Sequence, residues 1–254
     1  MEALVVALWN HSALTKRFLD SLETTSFYNW HVVLVDNGSS DDTQEVVRAH
    51  ISKSRHSIRM IENKENLGCA KAWNQGIKEL RKLSIGVIGI LNNDLVLSHH
   101  WDVDLLKSLS QPEAFAICPF VMNCALVNFE ERAEKFKVIN SSRSRAKLQS
   151  EAMFFKTTVF DKVGLFDESF FVSFEDFDFY LRLRENGISP QTVGASVVWH
   201  QAKSSRKNLS SAHETEGRAI FVSKWGEAAL KTPGFEIPRW QRRYWRLREY
   251  FGLL

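Results

Sequence analysis

The chain has 254 residues, 44% of them apolar, which suits one large domain or a domain with a C-terminal appendage. A net charge of only +3 gives no whole-molecule field for nucleic acid, and no stretch approaches the roughly 20 apolar residues that span a bilayer. The cysteines, Cys69, Cys118 and Cys124, are odd in number and lack metal-ligand spacing, so a disulfide framework is not expected and a reducing, cytoplasmic setting is.

The chain opens on an apolar run at 3–8 with no basic leader or cleavage signal, unlike a secretory peptide. That run reads as a buried strand. Leu14, Phe18 and Leu22 follow at helical spacing. A second strand is expected at 31–35, then a polar turn and a helix through Val46, Val47 and Ile51. A short strand at 58–61, a helix at 68–80 with Trp73, Ile77 and Leu80 on one face, and a near-continuous apolar strand at 85–91 complete the first half. Strands alternating with helices in this way imply an α/β fold, with a mostly parallel central sheet flanked by helices. The second half is less regular. Strands are expected at 115–121, 151–156 and 195–200, and helices at 177–186, stopped by Gly187, and at 212–225. Residues 123–150 are polar and mixed, and are expected to form a flexible loop on the acceptor side.

In open parallel sheets ligands bind beyond the carboxyl ends of the strands, so the residues that follow each apolar run carry the chemistry. After the second strand comes Asp36-Asn37-Gly38-Ser39-Ser40-Asp41-Asp42. A carboxylate there accepts from a base N–H or a ribose hydroxyl, while Asx and Ser residues also make turns and helix caps. Both readings are expected to hold, with Asp36 as ligand contact and Asp41 or Asp42 as cap. After the strand at 85–91 comes Asn92-Asn93-Asp94. This is either another Asx turn or a desolvated carboxylate paired with a divalent cation on a diphosphate. Segment 170–178 then places Glu175, Asp176 and Asp178 among phenylalanines just before a helix. Ser173 with Asp176 fits a capping box, but a cap needs one acid and has no use for the rings. Carboxylates in an apolar cleft suit general-base work, and neighbours about 100° apart on a helix divide between roles. His200 ends the last strand, as a structural histidine or as a metal ligand. Imidazole with carboxylate suits manganese better than calcium.

Taken in order, Ala7-Leu8-Trp9-Asn10, Asp36-Asn37-Gly38-Ser39, Asn66-Leu67-Gly68, Leu91-Asn92-Asn93-Asp94, and Gly164-Leu165-Phe166-Asp167-Glu168 running on to Glu175-Asp176 resemble glycosyltransferase family 2 with its GT-A fold, nearest the rhamnosyltransferase branch. The resemblance spans about residues 3–205. It implies a GT-A domain at 1–205, with a nucleotide-binding half at about 1–97 and an acceptor half at about 98–205, followed by a helical extension at 206–254. It also implies an inverting, metal-dependent transfer of a sugar, such as rhamnose, from a UDP-, dTDP- or GDP-linked donor to a glycan or lipid-linked acceptor. Ala7 and Trp9 would line the base pocket and Asp36 would bind the nucleobase. Asn66, Gly68 and Lys71 would lie along the donor, together with Asn92, Asn93 and Asp94. Asp94 and His200 would hold Mn2+ or Mg2+, and Asp176 would be the catalytic base. Glu151, which stands where the family usually has Gly, and Glu175 are expected on the acceptor or sugar side.

Two features bear on partners. Residues 238–254 interleave Trp240, Tyr244, Trp245 and Phe251 with five arginines from Arg239 to Arg248. Such a helix either packs on the domain with its arginine stems snorkelling or contacts an anionic membrane surface, with nucleic acid a poorer fit. The alternative to catalysis is a degenerate fold that binds lipid or nucleic acid through this tail. A sugar nucleotidyltransferase would need a Gly-rich phosphate loop after the first strand, where Trp9-Asn10-His11-Ser12 stands. A dinucleotide dehydrogenase would need Gly-x-Gly-x-x-Gly after a strand, and none is present.

Overall fold

The computed structural model describes residues 1–122, 125–141, 144–146, 148–201 and 211–232. The elements run β1 Glu2–Leu8, α1 Ser12–Thr25, β2 His31–Asp36, α2 Thr43–Ile51, β3 Ser57–Glu62, α3 Cys69–Leu80, β4 Val87–Asn92, β5 Leu95–Leu97 and α4 Trp101–Leu109. They continue with β6 Ala116–Met122, α5 Phe129–Asn140, β7 Ser144–Ala146, β8 Ala152–Lys156, α6 Thr158–Val163, α7 Glu175–Glu185, β9 Gln191–His200 and α8 Ser211–Trp225, with a 3-10 turn at Glu227–Lys231.

The strands make one sheet ordered β3-β2-β1-β4-β8-β6-β9-β5, with β7 also on β9. Its parallel character lies in β3-β2-β1-β4 and in the β6–β9 pair. The pairings of β8 with β4 and β6, and of β5 and β7 with β9, are antiparallel, so the sheet is mixed. Strand β8 breaks the parallel run at the middle of the sheet: it enters between β4 and β6 from far along the chain, which local periodicity does not reveal.

The core forms two layers, one on each face of the sheet, because successive strand residues point to opposite sides. Ala3, Val5, Val33 and Val35 pack towards α3, α6, α7 and α8. Leu4, Val6, Leu8, Val32 and Leu34 pack towards α1, α2 and α4. Helix α4, absent from the expected elements, carries Trp101, Leu105 and Leu109 buried at helical spacing. Its Asp102 is fully buried and accepts from Phe27 N (2.9 Å), Tyr28 N (3.1 Å) and Trp30 Nε1 (3.1 Å), tying the α1–β2 connection down. Asp102→Ala strands those donors and is expected to cost about 3 kcal/mol, read as a lower urea midpoint at unchanged m-value.

The expected acceptor-side loop at 123–150 is in large part ordered. Phe129, Ala133, Phe136 and Asn140 form the buried stripe of α5, and Phe136 stacks on Phe120 of β6 at 4.1 Å. The stripe is short and flanked by exposed charge, which masks its period. Helix α7 stops as expected: Gly187 is left-handed (φ 71°), and Ile188 N–H returns to Leu183 O. The arginine-rich segment 239–248 lies outside the described residues.

Candidate active site

An open cleft of about 900 Å³, solvent at its mouth included, lies beyond the carboxyl ends of β1 and β4. Its lining contains Ala7, Trp9, Asn66, Gly68, Asn92, Asn93, Asp94, Glu175 and Asp176, all expected at the site. Four other expected residues, Asp36, Lys71, Glu151 and His200, are not among the lining side chains.

Strand register explains the first group. Ala7 pairs with Asn92 across β1 and β4, so the end of each strand reaches the same level. Leu95 of β5 pairs with His200 of β9, and Gln201 N–H donates to Asp94 O at 3.1 Å. These contacts carry Asp94 to within 3.3 Å of His200, measured from Oδ2 to Nε2. Leu91 pairs with Ala152 of β8, and Asn92 N–H donates to Glu151 O at 3.0 Å. Glu151 thereby comes within 4.0 Å of the other imidazole nitrogen. Asp94, His200 and Glu151 therefore converge, with His200 between the two acids and just behind the lining. The pairing joins residues 49 and 106 positions apart in sequence, which is why only strand order makes it visible.

Asp36 occupies a different position from the one expected. Its side chain is fully buried, with Oδ1 accepting from Ser39 N at 3.2 Å and Oδ2 from Gln44 Nε2 at 2.6 Å. The cap reading does not hold: the residue at the N-cap of α2 is Asp42, with no side-chain cap hydrogen bond, while Asp41 closes an Asx turn, accepting from Thr43 N at 3.1 Å and from Ser12 N at 2.9 Å and so joining the starts of α2 and α1. Lys71 projects from the exposed side of α3, and its charge acts on Glu168. The Asn74 amide, then burial in opposition, then Lys78 and Lys71 set the Glu168 carboxyl, which ends below its usual range.

Asn37 was not singled out from the sequence, yet it organises one wall. It lines the cleft, donates to Asn66 Oδ1 (2.8 Å) and Gly68 O (3.2 Å), and accepts from Leu67 N (3.0 Å) and Asn63 Nδ2 (3.1 Å). The Asn that follows the strand-end Asp was the only signal. Gly68 is left-handed (φ 86°), and a Cβ there would sit 2.4 Å from Phe171 O. Its service is close packing: Cys69 N–H donates to Phe171 O at 2.9 Å, stapling the start of α3 to the acid segment.

The acid segment is not a capping box. Helix α7 begins after Phe174, with no side-chain cap, and both Ser173 (φ 67°) and Phe174 (φ 71°) are left-handed. Non-glycine residues in that region cost about 1–2 kcal/mol each. Glu175 is buried, and Asp176, half-buried, accepts from Phe177 N at 2.8 Å. Just upstream, burial pushes the Asp167 carboxyl up, but hydrogen bonds from Lys224 and Ser169 outweigh it and bring it to about 2.

A divalent cation fits the chemistry at Asp94 and His200, a hard oxygen beside an imidazole nitrogen. Among the described residues no group of three or more His, Cys, Asp or Glu side chains is placed to hold a metal ion by itself, Asp94, His200 and Glu151 included. A cation shared with a diphosphate needs few protein ligands, because phosphate oxygens and water complete its shell.

Residues 3–171 match the model of glycosyl transferase family 2. The N-acetylglucosaminyl-diphospho-decaprenol L-rhamnosyltransferase of Mycobacterium tuberculosis is 24% identical over 259 aligned residues, covering 85% of this chain and 83% of the relative. An uncharacterised glycosyltransferase of Rickettsia typhi is 22% identical over 227 residues, covering 84% and 69%. Among solved structures, the mannosyltransferase PcManGT of Pyrobaculum calidifontis, in complex with GDP-Man and Mn2+, superposes with a TM-score of 0.65 at 19% identity, over 87% of this chain and 64% of that one. GalNAc-T7 with UDP, GalNAc and Mn2+ gives 0.70 at 14% identity, over 99% and 54%. The chain thus spans less than two thirds of either solved protein, and the likeness to them shows the GT-A fold. With the family model matching more than half of its length, this chain belongs to glycosyl transferase family 2.

Proposed function

We propose that this chain is an inverting, cation-assisted glycosyltransferase that moves a sugar from a UDP-, dTDP- or GDP-linked donor to a hydroxyl of a glycan or lipid-linked acceptor. The observation that carries the reading is the sharing of one cleft by the Asn92-Asn93-Asp94 strand end, with His200 3.3 Å from Asp94, and Asp176. The Mycobacterium tuberculosis relative is named for rhamnose and for a diphospho-decaprenol acceptor, which favours a deoxyhexose and a membrane-surface setting. No helix among the described residues is long and apolar enough to cross a membrane.

In this reading the nucleoside lies against Ala7 and Trp9, with Asp36 shaping the pocket from behind, and the diphosphate lies towards Asn92, Asn93 and Asp94. Mn2+ or Mg2+ held by Asp94 and His200 would supply charge neutralisation at the diphosphate. Asp176 accepts the acceptor's hydroxyl proton as that oxygen bonds to the anomeric carbon. The bond to the diphosphate oxygen breaks on the opposite face, and the leaving group keeps the electron pair. One displacement inverts the centre, through an oxocarbenium-like state. Glu175, buried and turned about 100° from Asp176, orients the sugar.

A panel of nucleotide sugars with and without Mn2+ tests the reading by thermal shift. A true donor at about 100 times its Kd adds about 2.7 kcal/mol, or roughly 5–10 °C for a domain of this size. The expected result is a cation-dependent rise with one nucleotide series. No rise with any sugar nucleotide overturns it.

A further inference from the structure

The left-handed pair Ser173–Phe174 aims the start of α7 into the cleft, and strained backbone persists only where its surroundings over-determine it. Those surroundings are α8, which lies beyond the residues matched by the family model. Gly217 is buried against the turn: a Cβ there would meet Ser173 O at 2.8 Å and Val172 O at 3.1 Å. One turn later Phe221, fully buried, stacks on Phe177 at 4.6 Å and tilts against Phe174 at 5.3 Å. Earlier on the helix, the His213 ring stacks on Phe171, a cleft residue, at 4.5 Å. At its far end Lys224 Nζ bridges Asp167 Oδ2 and Asp178 Oδ1, each at 2.7 Å, and Trp225 Nε1 donates to the same Asp178 oxygen at 2.9 Å. Asp178 is fully buried and lies two residues beyond Asp176.

We infer that α8 is a positioning strut for the catalytic end of α7, with Gly217 as the contact that sets the turn and Lys224 as the bridge that holds the helix in place. The inference rests on the reading of Asp176 as base. The strut grips the turn and the first coil of α7 from outside the cleft, and none of its described side chains lines the cleft. Its effect therefore falls on the orientation of Asp176 and not on the nucleotide wall built by Asn37, Asn66 and Gly68. A misplacement of about 1 Å is enough to cost roughly 10²-fold in rate.

The test measures kcat, the Kd of the free nucleoside diphosphate, and amide exchange in Gly217→Ala, with Lys224→Met as a second variant that adds no bulk. Gly217→Ala is expected to lower kcat at least tenfold, leave the nucleotide Kd within twofold, and speed exchange at 172–178 but not at 73–80, beyond the first turn of α3 that Cys69 staples to Phe171. Lys224→Met is expected to give the same pattern at about threefold. In an Asp176→Asn background, Gly217→Ala is expected to add no further loss, because both act through one group. Unchanged kcat in either folded variant overturns the strut, as does a loss of nucleotide affinity equal to the loss of kcat. If Asp176→Asn keeps its turnover while Gly217→Ala does not, the base assignment fails and the strut stands, acting through another group on α7.

Discussion

Asp176→Asn is expected to lower kcat by about 10²–10⁴, the range a positioned general base contributes, while nucleotide binding stays within twofold of the parent. The substitution is nearly isosteric. The bond that Asp176 Oδ1 accepts from Phe177 N–H at 2.8 Å is open to the amide oxygen as well, so the start of α7 keeps its shape. What is lost is the capacity to take the acceptor's proton. A drop confined to kcat marks an interaction made in the transition state, whereas a rise in KM alone would mark binding. Glu175→Gln is the companion control. It lies beside Asp176 in sequence but is buried and turned about 100° away, so its loss is expected to raise the KM of a sugar substrate and to spare the chemical step. Product formation followed by nucleoside diphosphate release, with titration calorimetry for binding, separates the two. Turnover of Asp176→Asn within fivefold of the parent would sink the base assignment.

The residues legible in advance were those at the ends of buried strands. A near-continuous apolar run cannot tolerate Asn92-Asn93-Asp94 except where it emerges, and parallel pairing with β1 then fixes where that is. His200 was legible for the same reason, at the end of β9. Orientation was harder to read. Asp36 also ends a strand, but its carboxylate turns back to Ser39 and Gln44, a choice made by the turn and not by the strand. Lys71 sits in the first turn of a helix whose apolar face was correctly read, yet that face points to the core and carries Lys71 outward. The stretch from 98 to 150 was least legible. Its helices α4 and α5 are short, and β8 reaches its partners across the sheet, so the signal is spread over distant segments. The grip of α8 on the acid segment was invisible in sequence, because a single glycine in a helix shows that something comes close without showing what.

Asp94→Ala carries the second large effect, on the cation and on the donor together. Asp94 is nearly buried, and the Gln201 N–H bond to its backbone oxygen survives the change, so the β5–β9 corner is expected to hold. What goes is the only carboxylate within 3.3 Å of the His200 Nε2 among the described ion pairs. Removing an outer-shell partner costs a metal site roughly 10–100-fold in affinity, and removing a ligand is expected to cost at least that. Mn2+ titration followed by electron paramagnetic resonance, with nucleoside diphosphate present, reads this without any turnover. The thermal shift that a donor produces with Mn2+ is expected to shrink to the shift it produces without. His200→Ala is expected to repeat the pattern, and the double variant to lose little more than either single one, since two ligands of one ion act as a unit. Additive losses would place the two side chains on separate tasks, and an unchanged Mn2+ midpoint in Asp94→Ala would remove the cation from this corner altogether. Asp176 would then remain a base in search of another source of charge for the departing diphosphate.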